Sequence, residues 1–138
     1  MHETFAHTAD LGLRVRAPDL DTLFGEAAEA LIEIIVESAP PADAEEVHRV
    51  DVDVRADRLE WLLADWLSEW LHASDQGRVV LGAVEACVAE GRVSGHARAR
   101  ALDPVRDRPL HEVKAITYHG LKVERDGEGW LAEVIVDI

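Results

Sequence analysis

Two segments at opposite ends of the sequence carry oxygen donors of the kind that hold a hard cation. His7-Thr8-Ala9-Asp10-Leu11-Gly12 crowds a His, a Thr and an Asp into what reads as a turn between two strands, with Gly12 able to take a backbone angle closed to other residues. Val134-Ile135-Val136-Asp137-Ile138 is an apolar strand that runs to the last residue, where a frayed polar tail is the usual pattern. An apolar last residue is expected to be held in the sheet, which would fix the α-carboxylate of Ile138 beside the Asp137 side chain. Two anions so placed repel each other unless something positive lies between them. Ca²⁺ or Mg²⁺ takes carboxylate and carbonyl oxygens and would serve, with Asp10 as a third oxygen donor. A salt bridge to an Arg or to Lys114 would serve as well, and capping or turn roles explain Asp10 and Thr8 without a metal. Spacing does not choose between these readings. A third segment, Lys114-Ala115-Ile116-Thr117-Tyr118-His119, brings a Lys, a Tyr and a His into one strand. It reads either as a polar strand edge or as Lys114 and His119 standing by the cation as partners for phosphate or carboxylate.

Other chemistry finds no support. The sequence holds no P-loop, no dinucleotide fingerprint, no nucleophile elbow, no HExxH and no zinc-type Cys/His cluster. Ser38, Ser68, Ser74 and Ser94 stand in ordinary contexts, so no nucleophile is visible and an accessory role is expected rather than an enzyme's. The formal charge of −14 repels phosphate, and there are only two lysines, Lys114 and Lys122, so tight direct nucleic-acid binding is not expected. An acidic surface suits a basic partner protein or a cation, and plain solubility explains it equally well. The single cysteine, Cys87, cannot form an internal disulfide. It fits a reducing, cytoplasmic setting and is expected to be a buried, inert thiol in a strand. No apolar stretch is long enough to span a membrane, and the first residues lack the pattern of a signal peptide.

The elements that must position these segments follow from periodicity. The 138 residues suit one domain, 1–138, that is 48% hydrophobic. Leu13 and Val15 alternate with Arg14 and Arg16 as a half-buried strand. Asp19 or Asp21 is expected to cap a helix whose Leu20, Leu23, Phe24, Ala27, Leu31, Ile34 and Ile35 share one face. Glu26, Glu29, Glu33 and Glu37 would form an acidic ridge opposite, either simply solvated or a docking face for a basic partner. Ser38 to Asp43 reads as a loop, and so does Leu102 to Pro109. Val50, Val52 and Val54 alternate with acids as a strand, and Asp57 with Glu60 predicts a capping box for a second helix. Leu59, Leu62, Leu63, Trp66, Leu67 and Trp70 form its buried stripe. Trp61 projects to its polar side, where it either packs on a loop or meets a partner. Residues 79–90 and 92–101 predict one hairpin, and 115–125 and 130–136 another across Asp126-Gly127-Glu128-Gly129. The predicted order is ββαβαββββ, an α+β domain with a largely antiparallel β-sheet and two helices packed on one face.

FAHTADLGLRV at 5–15, LLADWLSEWL at 62–71, VKAITYHGLKV at 113–123 and WLAEVIVDI at the end together resemble the archease family over essentially the whole chain. The resemblance implies a protein cofactor of the RtcB-type RNA ligase that seals tRNA exons. It would promote guanylylation of the ligase, give multiple turnover and broaden nucleoside triphosphate use. It further implies a divalent cation site, commonly calcium, at Asp10, Asp137 and Ile138, with Lys114 as a functional residue beside it. His7 and His119 are near-site candidates, and Trp61, Glu29 and Glu33 are candidate partner contacts. Ser68 stands where the family often has Asn, which leaves a polar contact there in doubt. The alternatives are a chaperone for an RNA methyltransferase, as linked to some archeases, and a small metal-dependent phosphohydrolase using His7 or His119 as base. Weak self-association is compatible with any of these.

Overall fold

A computed structural model describes residues 1–7, 10–37 and 47–138, the side chains of Ala6 and His7 excepted. The predicted loop from Ser38 to Asp43 lies outside the described residues. β1 (His2–His7) pairs antiparallel with β2 (Asp10–Ala17), where Leu11, Leu13 and Val15 alternate with other residues, and β2 leads into α1 (Leu20–Ile35). Asp19 caps α1, its carboxylate accepting from the Thr22 N–H at 2.7 Å. Asp21 instead accepts from the Val88 N–H at 2.7 Å and ties the helix to a strand. The chain then runs through β3 (Val36–Glu37) and β4 (Val47–Arg55) to α2 (Leu59–Gly77). The rest is strand: β5 (Val79–Ala89), β6 (Arg92–Ala101), β7 (Arg108–Pro109), β8 (Ala115–Asp126) and β9 (Gly129–Asp137).

The α+β class and the antiparallel pairing are as the sequence predicts, with two additions. The short strands β3 and β7 pair with each other, so the second predicted loop contributes a rung of its own. The strands also divide into separate sheets, ordered β1-β2-β9-β8, β4-β6-β5 and β3-β7. Both helices touch both larger sheets: α1 packs on β2 and β5, α2 on β8 and β4. A helix covered from two sides must be apolar over more than one stripe. Leu23, Phe24, Ala27, Ala28, Ala30, Leu31, Ile32 and Ile34 of α1 are accordingly all buried. Trp66 and Trp70 centre this core, edge to face at 5.4 Å, and the Trp66 indole N–H donates to the Phe24 carbonyl at 3.0 Å. Truncating a ring so placed costs about 3–5 kcal/mol.

Three sequence expectations are corrected. First, no capping box forms on α2: the N-cap is Arg58, without a side-chain bond. The helix begins one residue later than Asp57 requires, and the Arg58 guanidinium lies over the Trp61 ring instead, 5.4 Å from its centroid. Second, Cys87 is exposed. The register of β5 slips between Leu81 and Val84. Val79 and Leu81 face inward before the slip and Val84 after it. The parity is reversed and Cys87 turns out. Third, the acidic face of α1 is not merely solvated. Glu26 and Glu33 each bind a ring nitrogen of His2 at 2.7 Å, and Glu29 accepts from the Val84 N–H at 3.1 Å. Glu37 has left the helix for β3. Burial alone would lower the His2 pKa, but the two carboxylate bonds outweigh it and raise it.

Candidate functional site

The four-stranded sheet brings the two distant acidic segments together. Asp10 opens β2 and pairs directly with Asp137 near the end of β9, and Asp137 pairs on its other side with Ala115 of β8. The Lys114 N–H donates to the Asp137 carbonyl at 2.8 Å, so the β8 entry is fastened to the same rung. Directly opposed antiparallel residues hold their Cβ atoms roughly 5 Å apart on one face of the sheet. Leu13, Val15, Val134 and Val136 are buried on the core face. Asp10 and Asp137, one position out of phase with them, therefore point to the outer face. Ile138, half-buried, packs against the core.

Asp10, Leu11 and Gly12 lie in β2, not in a turn, since His7 already pairs with Asp10. Thr8 falls outside the described residues, as does the His7 side chain; only the backbone of His7 can be placed, at the β1 end of the acidic rung. Gly12 does not use a positive φ. It is small because the Phe5 ring lies across it, where a Cβ would collide with the ring. Lys114 is exposed, with its main chain beside Asp137. His119 is four positions further along β8 than Ala115, roughly 13 Å by strand rise. It sits in a bulge where the β8–β9 register slips between Thr117 and Lys122. The register thus joins Asp10, Asp137 and the Lys114 main chain, and does not carry His119 to their rung.

The next charged rung of the same outer face is built differently. Glu3, Arg14, Glu133 and Lys122 stand side by side across the four strands. Arg14 donates to Glu3 at 3.1 Å and to Glu133 at 2.9 Å, and its guanidinium lies over Phe5. The Arg14 hydrogen bond holds the Glu133 carboxyl below its ordinary range. Elsewhere, Arg100 and Asp107 form a fully buried two-pronged pair at 2.7 Å, and Asp107 also accepts from the Asp103 N–H at 2.8 Å. The Arg100 bonds pull Asp107 down to about 2.

Among the described side chains, the donors at the Asp10–Asp137 rung are two opposed carboxylates, with the main chain of Ile138 next in sequence. That chemistry fits Ca²⁺ or Mg²⁺ and not a soft thiophilic metal. Among the described residues no group of three His, Cys, Asp or Glu is assembled as a metal site; the side chains of His7 and Thr8, close to Asp10 in the chain, lie outside that description. Sequence reasoning missed the Arg100–Asp107 pair and the engagement of His2. It also missed the Tyr118 hydroxyl, which donates to Asp65 of α2 at 3.3 Å. A signal for the last was present in Gly120, whose φ of 65° marks the bulge that delivers Tyr118.

The model of the Archease protein family matches residues 2–138. Curated relatives include the archease of Methanopyrus kandleri, 38% identical over 99% of this chain and 98% of its own length. That of Pyrococcus furiosus is 35% identical over 99% and 97%. Among solved structures, the solution structure of Methanobacterium thermoautotrophicum protein 1598 has a TM-score of 0.70 at 27% identity, covering 99% of this chain and 98% of the other. The crystal structure of a Thermotoga maritima archease, described as a possible chaperone, has a TM-score of 0.66 at 21% identity, covering 100% of this chain and 98% of the other.

Proposed function

This chain belongs to the archease family, and on that premise we propose that it is a non-enzymatic accessory factor of an RtcB-type RNA ligase. It promotes guanylylation of the ligase, sustains multiple turnover and widens the choice of nucleoside triphosphate. Asp10, Asp137 and the main-chain oxygens of Ile138 hold a divalent cation, calcium by preference. The observation that supports this reading is the direct register of Asp10 with Asp137. Two carboxylates facing each other across a strand pair repel, and the sheet tolerates them best when a cation lies between.

Each residue then has a stated task. Asp10 and Asp137 present oxygens from two rigid strands of one sheet. The hydrogen bond from the Lys114 N–H to Asp137 steadies the last rung, and the exposed Lys114 ammonium offers a positive group to phosphate oxygens at the same end. A bound cation supplies charge that orders triphosphate or metal-bound oxygens during nucleotidyl transfer. The net charge of −14 steers the protein toward the basic cleft expected of an RNA-handling enzyme, and salt weakens that approach. No helix among the described residues is long and apolar enough to cross a membrane, and we place the encounter in the cytoplasm.

The test is a guanylylation assay of the ligase with added protein and calcium. Asp10→Ala and Asp137→Ala should each reduce stimulation to background while leaving the circular dichroism spectrum unchanged. Full stimulation by both variants would sink the reading. The description of the Thermotoga maritima protein as a possible chaperone suggests a second reading, in which this chain stabilises an RNA methyltransferase. Under it the same two variants would keep their effect on the client.

A further inference from the structure

Two large rings stand in water on the helix side of β8, away from the acidic rung. Trp61 is 46% exposed and Tyr118 is 60% exposed. They line one cavity of about 620 Å³ together with Arg55, Ala56, Asp57 and Asp65. The fold puts them there by separate means. Trp61 and Asp65 are four residues apart on α2 and so share a face. Tyr118 comes from the β8 bulge, and its hydroxyl reaches Asp65 at 3.3 Å. Burial, and then the Asp65 charge, raise the Tyr118 pKa, so the phenol stays protonated as the donor.

We propose that this cavity is a docking pocket for an arginine side chain presented by a partner protein. It goes beyond the ligase reading and stands without the cation site. Aromatic faces attract cations, Trp most of all. Asp57 and Asp65 line the cavity beside Arg55, and with Arg58 over the Trp61 ring the local charges balance, so the pull on a further cation comes from the chain's net charge of −14. The chain itself shows that the Trp61 ring accepts a guanidinium, since that of Arg58 lies 5.4 Å from its centroid. A planar fork suits this wall better than a compact ammonium does, because it can stack on a ring while donating to a carboxylate. The same carboxylates repel a phosphate backbone, which argues against a stacked nucleobase despite the paired rings.

The experiment titrates three probes into the full chain: a six-residue Gly/Ser peptide carrying two arginines, its dilysine twin, and hexauridylate. The readout is the NMR signal of the Trp61 indole N–H, assigned with Trp61→Phe. The arginine peptide should shift that signal saturably and bind about fivefold tighter than the lysine peptide. Tyr118→Ala and Asp65→Asn should each weaken it by a similar factor. No saturable shift, equal affinity for the two peptides, an effect untouched by both variants, or displacement of the peptide by hexauridylate would each overturn the proposal.

Discussion

Two rungs of one sheet, four residues apart along β2 and β9, face the same way and treat their acids in opposite fashion. In one, Glu3, Arg14, Glu133 and Lys122 alternate in sign, and Arg14 binds the carboxylates on either side of it. In the other, Asp10 meets Asp137 directly. Both rungs cross the same strands, so the contrast between them lies in their side chains. The first rung bonds both of its acids to Arg14. The second sets like charges opposite each other at the sheet's end, where an outside cation can reach them. A fold that can place an arginine between two acids, and does so about 13 Å away, does not need opposed acids for its stability.

Breaking the acids bonded within the chain calibrates this contrast. The largest loss is expected at the buried extreme, Asp107. Replacing it with Ala strands the Arg100 charge and should cost about 3–5 kcal/mol, measured by urea denaturation. Arg14→Leu should cost less than half as much, because its partners are partly in water. It leaves Glu3 and Glu133 two strands apart with Lys122 still beside Glu133, and calcium should not restore its stability, since no two acids there stand directly opposite each other. The pH profile is a subtler test. Glu133 has a folded pKa below its ordinary 4.5. Its contribution is therefore present above 4.5 and disappears as pH falls through the lowered value. Asp107, lowered from 3.8 to about 2, loses its contribution over the window between those values. Glu26, Asp19 and Asp53 are lowered as well, so the native urea midpoint should fall continuously below pH 4.5. Arg14→Leu should flatten the part of that fall due to Glu133 and leave the Asp107 part at lower pH.

Much of this was legible in the residues. Both later hairpins and both helices follow from alternation and helical spacing, whereas the meeting of Asp10 with Asp137 was one of several open readings of the residues and was favoured only by the resemblance to archeases. What stayed hidden depended on slips in register. The β5 slip after Leu81 reverses parity and exposes Cys87, and a period-two reading cannot see a bulge. The β8 slip after Thr117 turns Tyr118 toward Asp65 and takes His119 out of the β8–β9 register. The division into separate sheets was also invisible, because hairpin signals are local and do not say which hairpin joins which. His2 shows a further limit. Its clasp by Glu26 and Glu33 joins residues 24 and 31 positions apart, and nothing in the helical pattern of α1 reveals what lies across it.

The smallest of the stability effects is also the most diagnostic. In chelator, with no divalent cation, Asp10→Asn relieves a like-charge pair and should raise stability by about 0.2–1 kcal/mol. In millimolar calcium the order should invert, the native protein gaining in proportion to the logarithm of cation concentration and the variant gaining little. Melting temperatures of both proteins in chelator and across a calcium series decide the matter. A crossing of the two curves is the predicted result. Parallel curves, with calcium or magnesium stabilising both proteins equally or neither, would contradict a cation held between Asp10 and Asp137.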